Sequence, residues 1–202
     1  MRCAFVVLVF AACGAQPPAV APAPRPVSPE VLKARAAVAA AEQELVRQQR
    51  LRAAGAGADD RVDVAELRLH FAATELATLT GNLRAEHASR KAEVAVLVRR
   101  HERAAAVGAK AAEFAESVDA RLRELAEGRA RLATFDGDRA ALLKAHTTLV
   151  EIAERRLERA TILVQRKVGP ADDVKRCELA LAAERDRLDA AKTARLFPRL
   201  AD

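Results

Sequence analysis

The sequence predicts an all-α protein built of antiparallel coiled-coil helical hairpins, in three repeats of about 56 residues. Composition, heptad spacing and regularly placed helix breakers predict it. The chain has no Trp, no Tyr and 6 Phe, and its 51% apolar content is mainly Ala, with Leu and Val behind. Ala, Leu, Arg and Glu are strong helix formers. A chain dominated by them, with helical periodicity, reads as coiled coil. Aromatics carry much of the area in a thick core, so their scarcity predicts thin seams between helices. Heptad-spaced apolar residues and glycines then recur along the chain.

Residues 1–12 read as a signal peptide. Met1-Arg2-Cys3 carries one positive side chain, and Ala4-Phe5-Val6-Val7-Leu8-Val9-Phe10-Ala11-Ala12 is a short apolar run ending in small residues. The run is about half the ~20 residues a membrane-spanning helix needs. Residues 13–29 read as a linker. Most of the chain's prolines lie between Gln16 and Pro29, and such a stretch prefers an extended polyproline tether to a helix.

Residues 30–202 form the helical body. Val62, Leu69 and Leu76 are spaced in heptads, with Ala65, Ala72 and Leu79 interleaved. Val118, Leu125 and Leu132 repeat the pattern, with Leu122 and Phe135 beside them. Val174, Leu181 and Leu188 repeat it again, with Cys177 and Ala191. The preceding arms carry Val31, Val38 and Leu45; Val94, Leu97 and Val98; and Leu142, Leu149 and Leu163, with Ile152 and Ala160 beside them. Each helix is expected to bury one such stripe.

Gly57 to Leu76 aligns without a gap on Gly169 to Leu188, and the middle copy lies halfway between. Gly57, Gly108 and Gly169 are expected to supply the left-handed turn at each hairpin tip. Asp59-Asp60, Ser117 and Asp172-Asp173 are expected to start the return helices by accepting free amides and complementing the dipole. Pro170 suits a turn or a first helical turn. Thr80-Gly81-Asn82 and Phe135-Asp136-Gly137-Asp138 separate the repeats. The reading is six helices of about 24 residues, each ~36 Å long.

The net charge is +6, from 34 Lys+Arg against 28 Asp+Glu. Acids and bases alternate, as in Glu151 to Arg159, which predicts a solvated coiled-coil face rather than a polyanion-binding stripe. Arg99-Arg100-His101-Glu102-Arg103 and Arg155-Arg156 are the densest basic clusters. Single-strand binding also calls for aromatics on which bases stack, so nucleic acid is not the partner this reading expects.

No enzymatic chemistry is predicted. His70, His87, His101 and His146 fall in none of the metal-ligand spacings, and the cysteines are not paired for a metal. Phosphate-loop, dinucleotide and Ser-nucleophile signatures are absent from the sequence. No catalytic, cofactor-binding or metal-binding residue is assigned, and no cofactor or small-molecule substrate is expected. Cys177 reads as a small buried apolar residue, or as a lone thiol that cross-links two chains.

Two resemblances add to this reading. Phe10-Ala11-Ala12-Cys13-Gly14 resembles the bacterial lipoprotein signal. That resemblance implies cleavage before Cys13, lipid attachment to it and, with Gly14 following, a place on the outer membrane facing the periplasm. The alternative is a secretory signal cut near Ala12 or Ala15. The stretch from Leu157 to Leu181, with Gly169, Pro170, Asp172-Asp173-Val174 and an Ala/Leu-rich return, resembles the helical hairpins of TolC-like outer-membrane efflux proteins and of periplasmic adaptor proteins. That resemblance implies a conduit-forming or docking hairpin near an efflux or secretion assembly. Neither the barrel strands of the first family nor the β-rich domains of the second are evident, so the chain reads as a free-standing hairpin array.

The function expected is therefore that of a non-enzymatic, exported cell-envelope protein. It acts as a spacer or docking partner, with protein partners or self-association through its seams and a membrane anchor on Cys13. The alternative is an intracellular basic coiled coil that binds nucleic acid or another polyanion.

Overall fold

A computed structural model describes residues 27–108 and 115–199. The signal segment 1–12, the lipidation site Cys13 and nearly all of the linker lie outside the described residues. Within them the chain forms six α-helices and no strand. These are α1 (Pro29–Ala53), α2 (Asp59–Thr80), α3 (Leu83–Gly108), α4 (Ala115–Asp136), α5 (Arg139–Gln165) and α6 (Ala171–Thr193). At ~1.5 Å per residue the helices are about 33–40 Å long.

Every backbone-level contact between described helices is between chain neighbours: α1 with α2, α2 with α3, and so on to α6. Along the α3–α4 joint, Gly108 lies beside Val118, Arg100 meets Glu124, Leu97 lies beside Gly128, and His87 meets Asp136. Small residues permit this packing. Nine of the nineteen buried apolar residues are alanines, so the core is a series of narrow seams that bury little area per residue.

The turns after α1 and α5 are made differently from expectation. After α1 the left-handed residue is Gly55, at φ 73°, and after α5 it is Lys167, at φ 60°. Gly57 and Gly169 lie two residues further on and do not adopt a positive φ. They are required for space instead. A Cβ on Gly57 would lie 2.7 Å from the Arg52 amide nitrogen, and one on Gly169 would lie 2.9 Å from Leu163 Cβ. Gly108 is the last residue of α3, where a Cβ would lie 2.5 Å from Val118 Cγ2.

Both turns close with the same hydrogen bonds. Gly55 N–H donates to Arg52 O and Ala56 N–H to Leu51 O; Lys167 N–H donates to Val164 O and Val168 N–H to Leu163 O. These bonds satisfy carbonyls that a helix end leaves free.

The helix starts also differ from expectation. Neither Asp59-Asp60 nor Asp172-Asp173 accepts a capping amide bond; Ala58 and Pro170 occupy the cap positions. The four aspartates sit inside the first turn, where they still complement the dipole. Ser117 lies within α4. Side-chain caps appear at the other starts. Ser28, Asn82 and Asp138 accept amide bonds from Val31, Ala85 and Ala141, at 3.3, 3.1 and 2.9 Å. Gly81 and Gly137 supply left-handed φ values of 67° and 71° just before Asn82 and Asp138.

Candidate functional site: buried ion pairs at the helix joints

The predicted seam residues are all at least half-covered. Val62, Leu125 and Leu181 are buried; Leu69, Leu76, Val118, Leu132, Val174 and Leu188 are half-buried. Around them the pattern departs from one stripe per helix. Leu79 and Leu163 are exposed, Val31, Val38 and Leu45 are only half-buried, and Val96, absent from the predicted stripes, is 1% exposed. Cys177 is half-buried rather than buried.

The reason is that α2 to α5 each have a neighbour on two sides. In α4 the predicted stripe belongs to the α3 side, where Leu125 packs with Leu67, Val96 and Leu97. A second stripe, Asp119–Ala126–Ala133, is also buried, and it faces α5: Asp119 meets Arg155 and Arg159, and Ala133 packs with Leu142. On α2 the residues at the same offset are Asp63, His70 and Ala77, with Asp63 and Ala77 buried. Heptad reading missed this stripe because it opens with a charge, Asp63 on α2 and Asp119 on α4.

These charges are the main correction to the expected solvated face. Asp63, Glu86, Glu93, Arg100, Asp119 and Glu184 are all buried. Each is paired across a helix joint or along its own helix, as a buried charge requires. Asp119 accepts from Arg155 Nε at 3.1 Å and Nη2 at 2.9 Å, and also from Arg159 Nη2. Asp63 pairs with Arg99 at 3.7 Å and with Arg103. Asp63, Arg99 and Arg103 stand 56 residues before Asp119, Arg155 and Arg159. The same acid with two arginines one turn apart thus closes both the α2–α3 and the α4–α5 joints.

Other pairs reach further. Arg100 donates to Asp60 of α2 at 3.1 Å and to Glu124 of α4 at 3.0 Å. Arg121 of α4 pairs with Asp60 at 3.7 Å, and Arg123 of α4 with Glu184 of α6 at 3.1 Å. Glu86 is 1% exposed and accepts from Arg90 Nη2 at 2.7 Å. Phe135 is buried nearby, stacked on His87, with Arg90 and Arg199 over its ring.

The electrostatics follow. Burial alone would raise the Asp119 carboxyl, but the hydrogen bonds from Arg159 and Arg155 outweigh it and hold the group below its ordinary 3.8. Burial lowers His146 below its ordinary 6.5, against the opposing field of Glu184. Burial lowers His70 likewise, against Glu66 and Glu93.

Among the described residues, no group of three or more His, Cys, Asp or Glu is placed to hold a metal ion. No described helix is long and apolar enough to cross a membrane. A hollow of about 1010 Å³ lies between the ends of α4, α5 and α6, and Arg156, Arg159, Asp173, Arg176 and Cys177 line it. The cross-joint ion pairs, Asp63 with Arg99 and Arg103 and Asp119 with Arg155 and Arg159, tie neighbouring helices together. Comparison with protein-family models, with curated proteins and with solved structures found no match.

Proposed function

We propose that this chain is a non-enzymatic, exported cell-envelope protein, held to the outer membrane by a lipid on Cys13 and serving as a spacer or docking partner, near an efflux or secretion assembly. Its body is an antiparallel array of three helical hairpins. The observation that carries the spacer reading is that the described helices make backbone-level contact only with their chain neighbours. An array joined in this way grows in one direction and presents long helical faces. The antiparallel reading is supported by pairs that climb one helix while descending the next: Gly108–Val118, Arg100–Glu124 and His87–Asp136. The repeat reading is supported by matching turn bonds after Leu51 and Leu163 and by matching Asp–Arg–Arg joints. Export and anchoring rest on Arg2, the apolar run to Ala12, and Cys13.

The alternative, an intracellular coiled coil binding nucleic acid or another polyanion, is less favoured. Arg99, Arg100, Arg103 and Arg155 are engaged by carboxylates of neighbouring helices, which leaves less free positive charge for phosphates. Intact mass and N-terminal mapping of the native protein from the membrane fraction test the choice. Loss of residues 1–12 with acyl mass on Cys13 supports the anchored reading. An unprocessed Met1 in the soluble fraction overturns it and favours the alternative.

A further inference from the structure

The joints inside the array show what its two ends lack. At the α2–α3 joint, Asp63 meets Arg99 and Arg103, Asp60 meets Arg100, and Leu67 packs with Val96. If a second copy continued the array, its α1 would lie on the α6 of the first as α3 lies on α2. Moving along the sequence by the repeat, Asp63 becomes Lys175 and Asp60 becomes Asp172, both on α6; Arg99, Arg100 and Arg103 become Gln43, Glu44 and Arg47 on α1. The cluster of buried Asp63 with the more exposed Arg99 and Arg103 is thereby replaced by Lys175 against Gln43 and Arg47, and the Asp60–Arg100 pair by Asp172 against Glu44. Two attractive sets become the like-charge pairs Lys175–Arg47 and Asp172–Glu44, with neutral Gln43 where an arginine stood.

The small and apolar positions are retained. Leu67 and Val96 become Leu179 and Ala40, and Leu179 is 72% exposed. Lys175, Ala182 and Asp189, which stand where α4 has its buried Asp119–Ala126–Ala133 stripe, are all exposed. The ends therefore keep the small and apolar positions of a joint but reverse two of its charges, at Lys175 and Glu44, and lose a third at Gln43. Terminal repeats of a one-dimensional array need polar outer faces to stay soluble. A head-to-tail contact that never closes on itself makes filaments, and like charges placed face to face are an effective bar to a wrong partner.

We infer that Lys175 and Asp172 on α6, with Gln43, Glu44 and Arg47 on α1, exclude a second copy of this chain from continuing the array, so that the helical stack ends within one molecule. The inference rests on the repeat reading above. It narrows the partners of the outer α1 and α6 faces to chains other than this one in that register.

The test is sedimentation velocity on the full chain carrying Cys3→Ser, Cys13→Ser and Cys177→Ser, with and without Gln43→Arg, Glu44→Arg and Lys175→Asp. The three joint-restoring changes recreate the internal pairs and are expected to strengthen self-association by on the order of tenfold or more. Adding Ala40→Cys and Leu179→Cys places a thiol at each partner of the restored Leu67–Val96 contact, so oxidation is expected to give a ladder of cross-linked chains. Association without the ladder overturns the register, and with it the repeat reading; it leaves export and anchoring untouched. No association in the restored variant, or equal association and laddering without the three changes, overturns the exclusion itself. Far-ultraviolet circular dichroism on each variant shows that its helices are intact.

Discussion

Asp119 shows how a single side chain ties two helices together. It is buried, and Arg155 and Arg159 supply charge-assisted bonds from the next helix. Removing it by Asp119→Ala leaves two arginines without a partner, but both are a third or more exposed and recover water. The expected cost is therefore about 1–3 kcal/mol, below that of a fully buried broken pair, measured by urea unfolding. Its depressed pKa sets the direction with pH. The contribution is complete above the unfolded value of 3.8 and is lost as pH falls through the lowered folded value. Asp119→Asn should remove this acid-limb loss. His146 acts at milder pH. Burial lowers its folded pKa, so the unfolded chain binds the proton more tightly and stability declines as pH falls below 6.5. His146→Gln should flatten the stability profile as pH falls below 6.5; an unchanged slope would count against this role.

At the scale of the element, turns and caps divide the labour in ways that residue identity hides. Gly55 has the left-handed φ, whereas Gly57 has the crowded surroundings. A Cβ at 55 meets nothing within 4 Å, so Gly55→Ala should cost about 1 kcal/mol from backbone conformation alone. A Cβ at 57 runs into the Arg52 backbone, which cannot rotate away, so Gly57→Ala should cost more. Comparing the two midpoints in one denaturant series decides the order. Asp138 caps α5 through the Ala141 amide, and Asp138→Ala should cost about 1 kcal/mol. Asp59 and Asp172 make no such bond. Asp172→Asn, which keeps the shape, should lose only a dipole contribution of a few tenths of a kcal/mol, whereas Asp59→Asn also weakens exposed pairs with Arg52 and Arg103 and should lose somewhat more.

For the molecule as a whole, stability should be uneven along the array. The end helix α1 buries only Ala34, while α5 buries Leu142, Ala145, Leu149, Ile152, Ala153 and Ala160. Helices with one neighbour open at lower cost than helices with two. Amide hydrogen exchange should accordingly be slowest in α3, α4 and α5 and fastest in α1 and α6. Uniform protection across all six would mean that the array unfolds as one cooperative unit.

Helix number, helix lengths and the breakers between helices were legible in the sequence, because helix propensity, heptad spacing and Gly or Pro punctuation are local properties of the chain. The stripes through Leu125 and Leu181 were legible for the same reason. The second stripe through Asp63 and Asp119 was not, since a buried acid in a heptad position looks like a solvated one until its arginines arrive from the next helix. The left-handed role of Lys167 was equally hidden, because closure of the turn by the Val164 and Leu163 carbonyls holds a non-glycine there. Local propensity determined where the helices run. The pairing of charges across joints, which depends on residues 36 or 40 positions apart, was decided only when the helices packed.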